Sequence, residues 1–231
     1  MDSSKNLSQV IRNRLVANGK RFWAGDNISE FIYEDEKSDL IAEVSEKFEA
    51  VLQSLIIDTD NDPNSKGTAK RLAKMYITEI MSGRYDAPPD CTAFPNDSDD
   101  RYEGMLVVRS EIKSLCSHHL QNVTGTAYIG VIAAQKLIGL SKYTRIAQWC
   151  AMRGTLQEEL CNDIAKEISI ATDSDDVAVY IEAQHGCCTN RGIRAHNSLT
   201  QTTVLRGAFK HDPSTKKEFF DNILLQSRNG N

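Results

Sequence analysis

Proline and glycine are scarce, at 5 and 13 residues of 231, and neither recurs with a period, which excludes a collagen-like or low-complexity chain. No apolar run approaches the roughly 18–20 residues that a membrane-spanning helix needs, so no membrane partner is expected. The first twenty residues hold no apolar stretch of about 7–15 residues ahead of a small-residue cleavage site, and no secretory signal is expected. Basic side chains are outnumbered 27 to 32, for a net charge of −5. Nucleic acid, which calls for a basic footprint, is therefore not the expected partner, and any anion site must be local. There is no internal repeat, no G-x-G-x-x-G turn and no Walker loop. What is present, 40% hydrophobic and 26% charged, suffices for one large domain or one domain with an appendage.

Three stretches differ in pattern. Residues 1–37 are polar and weakly periodic and read as an N-terminal extension, with a short helix around Val10–Leu15. Residues 38–103 form a helical region followed by an acidic loop. Leu40, Ile41, Val44, Phe48, Val51, Leu52 and Leu55 recur at helical spacing, predicting a helix over about 38–57. A second helix is expected from a Thr68 cap to about Ser82, with Arg71 and Lys74 sharing a face three residues apart. The run Asp97, Asp99, Asp100 reads as a solvated loop.

From residue 104 to 231 the period shifts to two. Val108, Ser110, Ile112 and Ser114 alternate with Val107, Arg109, Glu111 and Lys113, predicting a strand that ends near Cys116; a second strand is expected over about 123–133. Helical spacing returns over 143–171 with a break at Gly154. Strands are then expected over 177–183 and 199–209. Strands grouped in pairs predict an α+β fold with an antiparallel sheet rather than a parallel one.

Six cysteines without a secretory signal are expected to be thiols or metal ligands, in a cytoplasmic protein. Cys150 and Cys161 fall on helical apolar positions and read as core. Cys116, His118 and His119 crowd into four residues, and His185, Cys187 and Cys188 into another four, both at predicted strand ends. Thiolate plus imidazole is the donor set zinc favours. Spacing alone does not choose the ligands: on an extended strand Cys116 and His118 point the same way, as do His185 and Cys187, whereas a turn after Cys116 would present His119 instead. Two cysteines and one histidine would leave a fourth position for water, as in catalytic zinc sites, and free the other histidines for proton transfer. Ser141, Lys142 and Arg145 crowd a predicted helix start, which suits a phosphate group, and Arg71, Lys74 and Arg191 add positive charge.

Together these residues resemble the GTP cyclohydrolase I family from about residue 38 onward. The resemblance lies in the Thr68–Tyr76 run TAKRLAKMY, in Cys116-Ser117-His118-His119, in Gly139-Leu140-Ser141-Lys142, in Gln157-Glu158, and in His185-Gly186-Cys187 followed by Arg191-Gly192-Ile193-Arg194. It implies Zn2+ held by Cys116, His119 and Cys187, with His118 and His185 as catalytic proton-transfer residues. It implies GTP as substrate, its triphosphate held by Ser141, Lys142, Arg145 and Arg191 together with Arg71 and Lys74 of a neighbouring subunit. Glu158 would read the guanine edge, with Gln157 its neighbour in that contact. The implied reaction opens the imidazole ring by water addition at purine C8, releases formate, and recloses the rearranged ribose to give 7,8-dihydroneopterin triphosphate, the entry to folate, biopterin or 7-deazaguanine synthesis.

The implied fold is the tunnelling or T-fold, its sheets joined into a five-subunit barrel that stacks into a homodecamer. The chain departs from the family pattern at Ser117, where the family usually has Glu, at Asn122-Val123 in place of Pro-Phe, at Ala69 in place of Pro, and in the extra thiol Cys188. Two rival readings remain: an enzyme for another purine nucleotide such as dGTP or one that stops at the ring-opened formamide, and a non-catalytic nucleotide-binding protein with structural zinc.

Overall fold

The computed structural model describes residues 6–97 and 101–228, so Asp99 and Asp100 of the acidic run lie outside the described residues. The chain divides into two compact units, residues 1–87 and 88–231. The boundary between the two units lies between Ala87 and Pro88.

The first unit is helical: α1 (Leu7–Ala17), α2 (Glu36–Ser54), α3 (Thr68–Met75), a π-type turn over Tyr76–Ile80, and α4 (Ser82–Tyr85). Leu7, Ile11 and Leu15 of α1 form a four-residue repeat that packs with Ile28, Leu40 and Ile77 in one core. Three aliphatic residues among polar ones gave this stripe little weight in the sequence. The buried Glu43 carboxylate of α2 accepts hydrogen bonds from the Ser8 backbone N–H at 2.8 Å and the Ser8 hydroxyl at 2.6 Å, satisfying a donor that the first turn of α1 leaves free. Thr68 does not cap α3. Gly67 holds that place in the left-handed conformation, at φ +75°, and the Thr68 hydroxyl instead accepts from Arg71 Nη2 at 2.8 Å.

The second unit contains β1 (Ala93–Pro95), β2 (Met105–Cys116), β3 (Gln121–Ile132), β4 (Lys136–Ile138), α5 (Leu140–Ala151), α6 (Gln157–Thr172), β5 (Val177–His185), α7 (Gly186–Thr189), β6 (Thr200–Leu205), α8 (Ala208–His211) and α9 (Pro213–Arg228). The expected antiparallel sheet is present, in the order β2-β3-β5-β6, and β1 pairs with β4 in a small separate ribbon. Ile112, Ile129, Val179 and Ile181 on one face of the sheet pack with Ile146, Cys150, Leu160, Cys161, Ile164 and Ile168 of α5 and α6. The other face is covered by α8 and α9, with Phe209, Phe219 and Ile223 against Tyr128 and Ala178.

The fourth strand stops at Leu205 instead of reaching Phe209, because Gly207 turns the chain at φ +52° and sends Phe209 into α8. Among the described residues no helix is long and apolar enough to cross a membrane.

Candidate active site

The sheet brings the two Cys/His clusters to one of its ends. β2 finishes at Cys116, paired with Gln121 of β3, and β5 finishes at His185, paired with Val123 of β3. Between β2 and β3 the chain turns over residues 117–120. Leu120 adopts φ +50° there, and its N–H donates to the Cys116 carbonyl at 2.8 Å. His118 and His119 ride on this turn, both exposed, their rings edge to face at 6.3 Å. After His185 the short α7 carries Cys187 and Cys188, whose sulfurs lie 3.9 Å apart.

The ligand atoms of Cys116, His185 and Cys187 all lie within 4.8 Å of one another. Two sulfurs and an imidazole nitrogen so disposed fit a soft divalent cation such as zinc. The electrostatics agree. Burial, together with the adjacent Cys116 sulfur and Cys188, pushes the Cys187 thiol up to about 11, so holding Cys187 as a thiolate calls for a compensating positive charge. Burial also lowers the His185 imidazole, against the opposing pull of the Glu158 carboxylate. His119 stands outside the 4.8 Å group among the described residues.

Thr155, bridged to Cys116, leads into α6 and so brings Gln157 and Glu158 to the same end of the sheet. Gln157 is 3% exposed, and its Oε1 lies 2.7 Å from His185 Nε2. Its Nε2 donates to the Ile181 carbonyl at 3.3 Å, the Thr200 carbonyl at 3.1 Å and the Thr202 hydroxyl at 3.1 Å. Glu158, the next residue, is exposed.

Ser141, Lys142 and Arg145 lie on the first turns of α5, which follows Gly139. Ser141 and Arg145 are exposed, and Lys142 is half-buried with its ammonium donating to the Asp90 carbonyl at 2.5 Å. Arg191 is exposed in the loop after α7. Arg71 and Lys74 are exposed on α3 of the first unit, where the Arg71 guanidinium also donates to the Lys66 carbonyl at 3.1 Å and the Asn64 carbonyl at 3.3 Å.

An antiparallel sheet flanked by helices, with a two-thiol, one-imidazole cluster at the strand ends that could hold a metal ion, defines an α+β protein with a candidate site at the mouth of its sheet. The chain belongs to the GTP cyclohydrolase I family, whose model matches residues 44–224. It is 38% identical over 190 residues to GTP cyclohydrolase 1 of Flavobacterium johnsoniae, covering 81% of this chain and 83% of that protein. It is 35% identical over 224 residues to GTP cyclohydrolase 1 of Aliivibrio salmonicida, covering 96% of this chain and all of that protein. GTP cyclohydrolase 1 of Vibrio cholerae is 38% identical over 188 residues, covering 79% and 85%.

Proposed function

We propose that this chain converts GTP to 7,8-dihydroneopterin triphosphate and formate, as a zinc-dependent cytoplasmic enzyme. The observation that carries the reading is the convergence of Cys116, His185 and Cys187 in a chain whose family match spans both clusters. When bound, zinc supplies the Lewis acidity that lets water act as a nucleophile near neutral pH. Cys116 and Cys187 would hold it, with His119 of the intervening turn as the third ligand.

The chain's own side chains carry the rest. His185, half-buried beside the two thiols, would give a proton to the purine ring nitrogen next to the attacked carbon, and His118 would serve a later proton transfer. The Glu158 carboxylate, exposed at the start of α6, would accept from the N–H donors of the guanine edge. Ser141, Lys142 and Arg145 at the N-terminus of α5, with Arg191, would hold the triphosphate, where backbone N–H groups and fixed cations reinforce one another. Arg71 and Lys74 would reach that triphosphate from a neighbouring subunit of a barrel-forming decamer.

The proximity of His185 to both sulfurs favours one other ligand set, Cys116, Cys187 and His185. Metal content decides between them. Cys116→Ser and Cys187→Ser are expected to lose both zinc and turnover. His185→Ala is expected to keep zinc and lose turnover, and zinc loss from that variant with retention in His119→Ala would establish His185 as the ligand.

Function itself is tested by incubating zinc-loaded protein with GTP or dGTP while following formate and the fluorescent oxidised pterin. Both products from GTP are expected. Formate without pterin would mean an arrested reaction, turnover of dGTP alone a different substrate, and neither product from either nucleotide a binding protein.

A further inference from the structure

Arg71 is exposed, and an exposed arginine side chain ordinarily samples many rotamers, whose loss on meeting an anion weakens the complex. Here three acceptors from one short segment converge on its guanidinium. Nη1 donates to the Lys66 carbonyl at 3.1 Å, and Nη2 donates to the Asn64 carbonyl at 3.3 Å and to the Thr68 hydroxyl oxygen at 2.8 Å. The segment that supplies these acceptors is itself held from within. The Asp62 carboxylate accepts from the Asn64 N–H at 2.9 Å and from the Ser65 hydroxyl. The N–H groups of Lys66 and Thr68 donate to the Asp62 and Ser65 carbonyls, at 2.9 and 3.0 Å. Gly67, left-handed at φ +75°, then occupies the cap of α3, which puts Thr68 one place inside the helix, three residues before Arg71 and on the same face. A threonine at the cap itself would turn its oxygen to the backbone N–H groups of the first turn. One place later, that oxygen meets the guanidinium.

We infer that Thr68 is a positioning residue whose hydroxyl, with the Asn64 and Lys66 carbonyls, fixes the Arg71 guanidinium before the triphosphate arrives. The inference rests on the reading of Arg71 as a triphosphate ligand. Of the five guanidinium hydrogens three are taken by these acceptors, and those on Nε and the second on Nη1 are left for the anion. The same count gives a reason for arginine here. An ammonium carries three hydrogens, so three acceptors would leave a lysine none for a phosphate oxygen. Thr68 supplies the shortest of the three contacts and the only one made by a side chain, so it is the one that substitution can remove.

The test pairs binding with kinetics in the zinc-loaded protein. Calorimetric titration with inorganic triphosphate, which carries the charges of the substrate without its purine, reads the anion site independently of turnover. Thr68→Val keeps the shape of the side chain and loses the oxygen. It is expected to weaken triphosphate binding by about 2- to 10-fold, the effect of leaving one long side chain to be ordered on binding, and to raise KM for GTP to the same extent at unchanged kcat. Thr68→Ser is expected to restore both values. Arg71→Ala is expected to weaken binding further than Thr68→Val does. Adding Thr68→Val to Arg71→Ala is expected to change nothing more, since no guanidinium is left to position.

Wild-type affinity in Thr68→Val would overturn the inference, and a lowered urea midpoint beside that affinity would reduce the contact to a brace of the loop. A Thr68→Ser protein as impaired as Thr68→Val would overturn it too, as would a further loss in the double variant, which would mean that the hydroxyl acts other than through Arg71. Wild-type affinity in Arg71→Ala would sink the reading of Arg71 as a ligand and the inference with it. Triphosphate binding that follows the expected pattern in a protein that does not turn over GTP would sink the proposed activity and leave the positioning intact.

Discussion

Two glutamates of the first unit are held below the usual carboxyl range by their hydrogen-bonding partners, and they set how that unit answers to acid. Arg14 donates to both oxygens of Glu36, at 2.8 and 2.7 Å, and this bonding holds the carboxyl below its usual range against the opposing effect of burial. Burial pushes Glu43 upward, but the Lys47 ammonium and the two Ser8 hydrogen bonds together outweigh it and leave this carboxyl depressed as well. Both groups bind protons less readily folded than unfolded. Their stabilisation is therefore complete above the ordinary glutamate value of about 4.3 and lost as pH falls through the lower folded values. Urea unfolding monitored in the first unit is expected to show a midpoint that drops between about pH 5 and pH 3. Glu36→Gln should flatten that drop and cost about 1–2 kcal/mol at neutral pH, and an undiminished pH slope in the variant would show that Glu36 is not the sensor. The same scale explains what the sequence disclosed of the site. Cys116, His118 and His119, like His185, Cys187 and Cys188, are neighbours in the chain, so their clustering was legible. The work of Gln157 was not, because its acceptors lie 24 to 45 residues away on two strands whose register only the folded sheet defines.

Strand alternation was strong enough to place all four strands of the main sheet, and the buried Ser110, Ile112 and Ser114 facing away from exposed Arg109, Glu111 and Lys113 follow the expected pattern. Helices with a narrow apolar stripe were harder to see. α1 buries only Leu7, Ile11 and Leu15, and α9 only Phe219 and Ile223, each diluted among charged neighbours. Closeness between elements also escapes periodicity. Gly125 on β3 faces Ala183 on β5 so tightly that a Cβ there would stand 2.1 Å from the Glu182 carbonyl oxygen and 2.5 Å from the Ala183 Cα. Both atoms are backbone, so neither can swing aside. Gly125→Ala is expected to part β3 from β5 and to cost about 3 kcal/mol or more, read as a lowered denaturation midpoint. Ala183 lies on the strand that leads into α7 and Cys187, so the same variant is also expected to weaken the proposed zinc site. An unchanged midpoint would mean that the two strands separate at little cost.

At the scale of the whole molecule the sheet is open, with β2 of twelve residues and β6 of six as its outer strands. Long outer strands invite pairing with another chain, and closure into a ring removes the hazard. The proposed barrel does this, and it would also account for the division of the proposed triphosphate-binding cations between the two compact units of one chain: Lys142, Arg145 and Arg191 lie in the second, as does His185, while Arg71 and Lys74 lie in the first. If each active site takes its second-unit residues from one subunit and Arg71 from the next, damage to the two parts can be separated. Sedimentation is first expected to give the mass of five or ten 25.8 kDa chains. Arg71→Ala and His185→Ala, each nearly inactive alone, should then recover turnover when co-expressed. In a randomly mixed ring a site is whole only where an Arg71→Ala chain supplies His185 and its neighbour, a His185→Ala chain, supplies Arg71. That arrangement arises at roughly a quarter of the sites when the two chains are equal in amount and assembly is closed and head to tail. Co-assembled chains that stay inactive would place Arg71 and His185 of one site on the same subunit, and the barrel would then serve to cover strand edges without completing the chemistry.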